Sequence, residues 1–416
     1  MPMLVELAAG ALERPARGVA DLGERCARWG KVPGVERMRV LFVSKPIGPP
    51  WNDGSKNLVR DVARHLKRAR PTVMTVRDAP PVGEGVTCDA VYESAGRFAP
   101  GLVANARVVA RLMTGDPHDA WHFVFAPNPT SSTAARLARR TRRLMGWKGL
   151  VVQTVASAPR SFDRAAQWMF GDVVVVLSEW MRGRLMGSGM EQPMRVIPPC
   201  AAAPAEPTHA DRVAVRARYD LGLGPIVLYP GDYEVSRGAS TVARATVAIT
   251  RATPEARVVF ACRAKTPQSA VAAAELMDEL RAAGVADRTR HVGEVDDMAA
   301  LLATASVVAF PVDDLYGKVD LPLILLEALA LGIPMVVARG GPLEALHSAR
   351  FVDADDDAAL ASEVTRLLSD GDMQLAASRA GRKLYSTCFT PSVVAAAYDD
   401  LYDELRDGRV RPIDVE

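Results

Sequence analysis

Chemistry is first legible in a single acid inside an apolar run, "LPLILLEALALGIP" (residues 321–334). Burying Glu327 there without a partner is costly, so a ligand or a partner group is required. A carboxylate facing a cleft can accept hydrogen bonds from two adjacent hydroxyls, as a ribose offers. The plainer alternative is a polar residue on an otherwise buried helix. Downstream, Gly340 and Gly341 follow the apolar run "PMVVA", where bare backbone N–H groups can approach a phosphate at a helix start. The segment "YPGDYEVSRGAS" (229–240) repeats that logic, with Arg237 and Gly238 opening a helix. Arginine can bind a pyrophosphate bidentately, although a surface Arg beside a turn would read the same. Arg263 and Lys265 follow "VVFAC", and Lys318 precedes the apolar run, so their charges can point into the same region.

The N-terminal half offers fewer candidates. "KPIGPPWNDGSKN" (45–57) is a Pro/Gly-rich loop holding Asp53 and Gly54, with the wrong spacing for a P-loop. No G-x-G-x-x-G fingerprint follows the first apolar run, which argues against an ordinary NAD unit. His122 lies in "AWHFVFA", where a core histidine is the commoner outcome than a catalytic one. The acidic pairs elsewhere lack metal-ligand spacing with a His, so no metal site and no resident cofactor is expected.

These residues need elements to position them. "MRVLFVS", "TVMTV", "AWHFVFA", "LVVQTV", "VVVVLS" and "MRVIP" are short apolar runs separated by helical stretches. After the Pro/Ala-rich 198–211 the alternation restarts with "PIVLYPG", "ARVVFAC", "SVVAFP" and "PMVVA", between helices near 238–250, 268–283, 297–304 and 323–331. Near-continuous apolar runs fit parallel strands covered on both faces. The expected fold is therefore α/β, two Rossmann-like doubly wound domains facing a deep cleft. The expected division is a helical prefix 1–36, an N-terminal domain 37–205, a C-terminal domain 206–390 and a last amphipathic helix in 391–416.

Composition excludes several classes. Fifty-one Lys and Arg against 49 Asp and Glu give a charge of +2, too balanced for nucleic acid as the main partner. Five scattered cysteines exclude a zinc module and suit free thiols in a reducing compartment. Glu6 interrupts the N-terminal apolar run, so no signal peptide is expected, and a cytoplasmic protein is. The helix "AARLARRTRRLMGWKG" (134–149) places Arg136, Arg139, Arg140 and Arg143 at one-face spacing. A solvated basic face is the default; contact of the 134–148 helix with an anionic membrane surface, at the inner face, is the sharper alternative.

At this point the residues resemble a known pattern, that of a family-4 retaining glycosyltransferase of GT-B fold, from about Met38 to the C-terminus. "LPLILLEALALGIPMVVARGGPLEAL" is similar to the family's "LLEAMA-G-PVV…GG-PE" segment, "YPGDYEVSRG" to its phosphate loop and "VIPP" to its "VIPNG" element. The resemblance implies that the N-terminal domain holds the acceptor and the C-terminal domain a nucleotide-sugar donor. The last helix would cross back to the N-terminal domain. It implies that Glu327 binds the donor ribose, Arg237 the phosphates, and Gly340 and Gly341 form the turn beside the donor. Asp53 and Gly54 take the place of the family's glycine loop. Transfer would proceed with retention, without a metal, to an acceptor hydroxyl on a glycan, a lipid-linked intermediate or a small molecule.

Several positions depart from the family. The acidic pair there is Glu, seven residues, Glu; here Val319 stands at the first position and Asp320 is one residue late. Asp232 replaces a phosphate-binding Arg, and Val124 replaces the second His of a pair whose first member is His122. Asp320 and His122 are the candidate catalytic groups. Three readings stay open: an active transferase, an inactive GT-B-like binding or scaffold protein, and a nucleotide-sugar epimerase of the same architecture.

Overall fold

The computed structural model describes residues 37–51, 53–94, 101–263 and 266–410. The expected prefix 1–36 lies outside the described residues, as does Lys265. The first sheet has seven parallel strands in the order β3-β2-β1-β4-β5-β6-β7. These are β1 (Met38–Ile47), β2 (Ala69–Val76), β3 (Thr87–Tyr92), β4 (Ala120–Phe125), β5 (Leu150–Val155), β6 (Val173–Val176) and β7 (Met194–Val196). Helices α1 (Gly54–His65), α2 (Leu102–Thr114), α3 (Pro129–Leu144) and α4 (Glu179–Gly187) connect them. Helix α5 (His209–Arg218) leads into a second parallel sheet, ordered β10-β9-β8-β11-β12-β13. Its strands are β8 (Ile226–Tyr229), β9 (Arg257–Phe260), β10 (Thr289–His291), β11 (Val307–Phe310), β12 (Met335–Ala338) and β13 (Arg350–Val352). Between and after them run α6 (Gly238–Ala252), α7 (Pro267–Ala282), α8 (Met298–Thr304), α9 (Leu323–Leu331), α10 (Asp357–Ser369), α11 (Gly371–Cys388) and α12 (Pro391–Arg406).

Both sheets reverse direction of growth once, between β1 and β4 and between β8 and β11. Such switch points open ligand crevices beyond the strand C-termini. The strands that the apolar runs do not announce are β3, β10 and β13, all at sheet edges. Each is half-exposed and short or polar, as "TRH" is for β10, so no buried run marks it.

The last helix crosses back onto the first sheet. Val394, Tyr398, Leu401 and Tyr402 of α12 share a core with Phe42, Leu58, Val62 and Val124. The carboxylate of Asp399 accepts the backbone N–H groups of Lys67, Arg68 and Ala69, at 2.8–3.1 Å, where β2 begins. Those donors would otherwise be buried and unsatisfied.

Helix α3 corrects the expected basic face. Arg139 is buried and ion-paired with Asp172, and it donates to the Phe170 carbonyl at 3.0 Å. Arg136 donates to the Met169 carbonyl at 2.9 Å, and Arg142 to those of Met113 and Gly115 at 2.6 Å. These three charges fasten the helix to its own domain. Arg140 and Arg143 stay exposed, with no partner among the described residues, beside Leu137, Leu144 and Met145, which are 63%, 82% and 63% exposed.

Candidate functional site

The loop 311–322, after the C-terminal end of β11, reaches the N-terminal domain. Three successive residues of that loop are each fastened. Lys318 Nζ pairs with Asp232, whose other oxygen accepts the Val235 N–H at 3.0 Å. Val319 joins the core of the N-terminal domain and approaches Gly54 so closely that a Cβ there would sit 3.2 Å from its methyl. Asp320 accepts a 2.6 Å hydrogen bond from the Ser178 hydroxyl, itself the N-cap of α4.

The position where the family pattern has a sugar-facing acid is therefore an apolar contact between domains. A side chain at Gly54 would require Val319 to give by a few tenths of an ångström. Asp320 does not stand in for the missing acid: it is 2% exposed and points into the junction. Burial pushes its pKa up to about 6, and the Ser178 hydrogen bond pulls it partly back. The unfolded value is near 3.8, so this group favours the folded state fully below that pH, and the contribution is lost as pH rises through 6. We expect Asp320→Asn to raise the unfolding free energy measured in urea at pH 8 by up to about 3 kcal/mol while changing little at pH 4. Equal effects at both pH values would show that the carboxylate is not held out of water.

His122 is likewise corrected from catalytic to structural. The ring is 1% exposed, with Nδ1 2.6 Å from the Tyr402 hydroxyl and Nε2 2.7 Å from the Thr154 hydroxyl. Both nitrogens are occupied, and burial drives its pKa down to about 3, so it stays neutral. It helps hold α12 against the first sheet.

Asp53 is the N-cap of α1, accepting from the N–H groups of Ser55 and Lys56 at 3.0 and 3.2 Å and from Lys45 Nζ at 2.6 Å. Burial raises its pKa, but Lys45 and these hydrogen bonds more than offset that, and the carboxyl stays below its ordinary range. The carboxylate occupies the helix N-terminus that a phosphate would otherwise use.

On the C-terminal domain the predicted phosphate loop takes shape around a tyrosine. A Cβ at Gly231 would strike the Tyr229 ring, and one at Gly238 would lie 2.7 Å from Val312, so both glycines let the loop close over β8. The Tyr229 hydroxyl donates to the Asp232 carbonyl at 2.9 Å. Arg237 is exposed at the start of α6 and pairs with Asp313 and Asp355, each at 2.9 Å. Arg263 lies 3.8 Å from Glu294. Gly340 has φ +86, and its N–H donates to Glu344 Oε1 at 2.8 Å; Gly341 follows, at the start of a single 3₁₀ turn.

Glu327 differs from the rest. It sits in the second turn of α9, which ends at Gly332 in the left-handed region (φ 70), with Arg382 donating to the Ala330 and Leu331 carbonyls. The side chain is half-buried, yet no group of the described residues donates a hydrogen bond to it. Its pKa is pushed up to about 7, chiefly by burial and then by the nearby Asp61 carboxylate, with Arg60 pulling the other way. Asp61 is itself buried and paired with Arg60 at 2.6 Å. Sequence reasoning missed this α1 pair, because nothing local marks two charged residues of an amphipathic helix as facing another domain.

Residues 224–370 match the family model described as "Glycosyl transferases group 1". No curated protein matches the chain. Among solved structures the chain is similar to HepE of Anabaena in complex with UDP and glucose, with a TM-score of 0.69 and 15% identity, over 88% of this chain and 100% of that one. It is also similar to sucrose-phosphate synthase of Thermosynechococcus elongatus (0.68, 18%, 89% and 100%) and to a glycosyltransferase of Rickettsia africae (0.67, 15%, 89% and 99%). The chain thus has the GT-B fold, and its second domain, which contains Glu327, carries the glycosyltransferase group 1 match.

Proposed function

We propose that the protein transfers a sugar, with retention, from a nucleoside-diphosphate donor to an acceptor hydroxyl. One observation carries the reading: Glu327 is a half-buried carboxylate inside the matched segment, with no hydrogen-bond donor among the described residues. Two vicinal hydroxyls of a ribose supply the donors it lacks. The C-terminal domain, which carries the family match, would hold the donor and the N-terminal domain the acceptor. Arg237, which must exchange Asp313 and Asp355 for the diphosphate, would neutralise the leaving group with Arg263 and the α6 N-terminus, without a metal. The sugar–diphosphate bond breaks, the acceptor oxygen forms the new bond on the same face, and its proton leaves with the diphosphate oxygen. Calorimetry with a panel of nucleoside diphosphates, followed by product analysis with their sugars, tests this; the reading fails if no nucleotide binds.

A second reading has its own support. Val319 packed on Gly54 fills the place of the sugar-facing acid. A protein that binds nucleotide without turnover, or one that converts donor without acceptor, fits that contact. Product analysis separates all three.

We also propose peripheral attachment to an anionic membrane through the exposed remainder of the basic helix. Among the described residues no helix is long and apolar enough to cross a membrane. No Asp or Glu occurs between Asp119 and Asp163, and Arg140, Arg143 and Lys148 flank exposed Leu144 and Met145. Flotation with vesicles containing phosphatidylglycerol should recover the protein, and the Arg140→Glu, Arg143→Glu variant should remain at the bottom. Equal recovery on neutral vesicles would contradict the electrostatic part.

A further inference from the structure

The cations near the junction are not all paired with acids, although Lys45 and Arg60 of the N-terminal domain are. On the C-terminal domain Arg237, Arg263, Lys318 and Arg339 each have an acid partner. On the N-terminal domain Arg160, Arg164 and Arg184 have none among the described residues. Arg160 reaches across the cleft, its Nε 2.7 Å from the Tyr316 hydroxyl, which leaves the outer guanidinium nitrogens unbonded. Two residues along the same loop, Phe162 meets Trp180 of α4 edge to face, with ring centres 5.8 Å apart. The Arg184 guanidinium lies over both rings, 4.6 Å from the centre of Phe162 and 5.8 Å from that of Trp180. The acids nearest in sequence do not cancel these charges: Glu179 is paired with Arg182 at 3.0 Å, and Asp163 is one exposed carboxylate among three guanidinium groups.

The two half-buried rings pack against the core and hold the Arg184 guanidinium in place. Stacked guanidinium groups are held in place before any ligand arrives, and they bind carboxylate or phosphate bidentately. The loop and α4 also border the donor side, because Tyr316 belongs to the loop that carries Lys318 and Asp320. We propose that this rim is the acceptor subsite and that it selects an acceptor ring carrying a negative charge, a phosphate or a carboxylate, held by Arg184 and Arg160. The inference rests on the transfer reading above and adds to it the chemical class of the acceptor.

The test is binding of three probes, a hexose 6-phosphate, a hexuronate and the uncharged hexose, by ligand-observed NMR and calorimetry. The full chain is used, alone and with a nucleoside diphosphate. At least one charged probe should bind tenfold or more tightly than the hexose, with the preference shrinking as salt is raised. Which anion is preferred distinguishes a phosphorylated acceptor from a uronic acid. In Arg160→Gln, Arg184→Gln that preference should vanish, with nucleotide affinity and thermal midpoint unchanged. If the variant melts early, Arg184→Lys gives a second measure, since a lysine keeps charge but loses the fork and should lose most of the preference. Equal binding of all three probes, no binding of any, or a preference that survives the double variant overturns the inference. A wild-type protein that binds nucleotide but not the anions leaves the transfer reading standing; one that binds no nucleotide removes that reading first.

Discussion

Glu327→Ala is expected to weaken nucleoside-diphosphate binding by about two orders of magnitude. A carboxylate accepting two hydroxyl hydrogen bonds contributes about 1.5 kcal/mol or more for each, and together they reach about 3 kcal/mol. The same substitution should not destabilise the free protein, because it removes a half-buried acid that no internal donor satisfies. Its pH dependence gives an independent check. In the free protein the group titrates near 7, mainly because burial disfavours the charge. A ribose that selects the carboxylate then binds roughly tenfold more weakly at pH 6 than at pH 8, as the ionised fraction falls. Folding stability runs the opposite way. The folded pKa is raised above 4.5, so this group's stabilising contribution is present below 4.5 and lost as pH rises through 7. Calorimetry of wild type and Glu327→Ala at the two pH values reads both. Unchanged affinity in the variant, or a wild-type affinity that does not vary with pH, removes Glu327 from the donor site.

Arg139→Ala should cost about 3–5 kcal/mol of folding stability, the penalty for leaving a buried charge unpaired. Asp172 is fully buried, and among the described residues its carboxylate meets, besides Arg139, only the Val151 N–H, at 2.8 Å. Arg140→Ala, one residue along, should stay within about half a kcal/mol, because that side chain is exposed and unpaired. Urea unfolding of the two variants side by side measures the difference. Similar midpoints would mean that the Arg139–Asp172 pair does not carry α3. Vesicle flotation should show the reverse order, with Arg140 mattering and Arg139 acting only through folding.

The junction loop explains why the site is harder to read than the fold. Lys318, Val319 and Asp320 are consecutive, and each side chain goes to a different partner: Asp232 in its own domain, the core of the other domain, and Ser178 at a helix cap. By spacing alone Asp320 looks like a displaced sugar-facing acid, and Asp232 looks like a charge that would repel a diphosphate. In the folded protein Lys318 neutralises Asp232, and Asp320 is withdrawn from the cleft. The loop closes the base of the cleft with one salt bridge, one apolar contact and one hydrogen bond.

What the sequence determined by itself is local or periodic. Apolar runs such as "VVVV" in β6 and "MVVA" in β12 need cover on both faces, and their alternation with helices leaves parallel doubly wound sheets as the solution. The bounds of α9 were legible because Pro322 and Gly332 punctuate an apolar run, and the lone acid within it marked Glu327. The tertiary structure alone decided the partners across long separations. Asp399 caps β2 from more than 300 residues away, and Asp61 of α1 faces Glu327 of α9. His122 is held between Thr154 and Tyr402, while Arg139 and Arg140, adjacent and chemically identical, have opposite fates. Residue type and spacing state which charges exist; which of them meet a counter-charge, a core or water is set only when separate segments pack together.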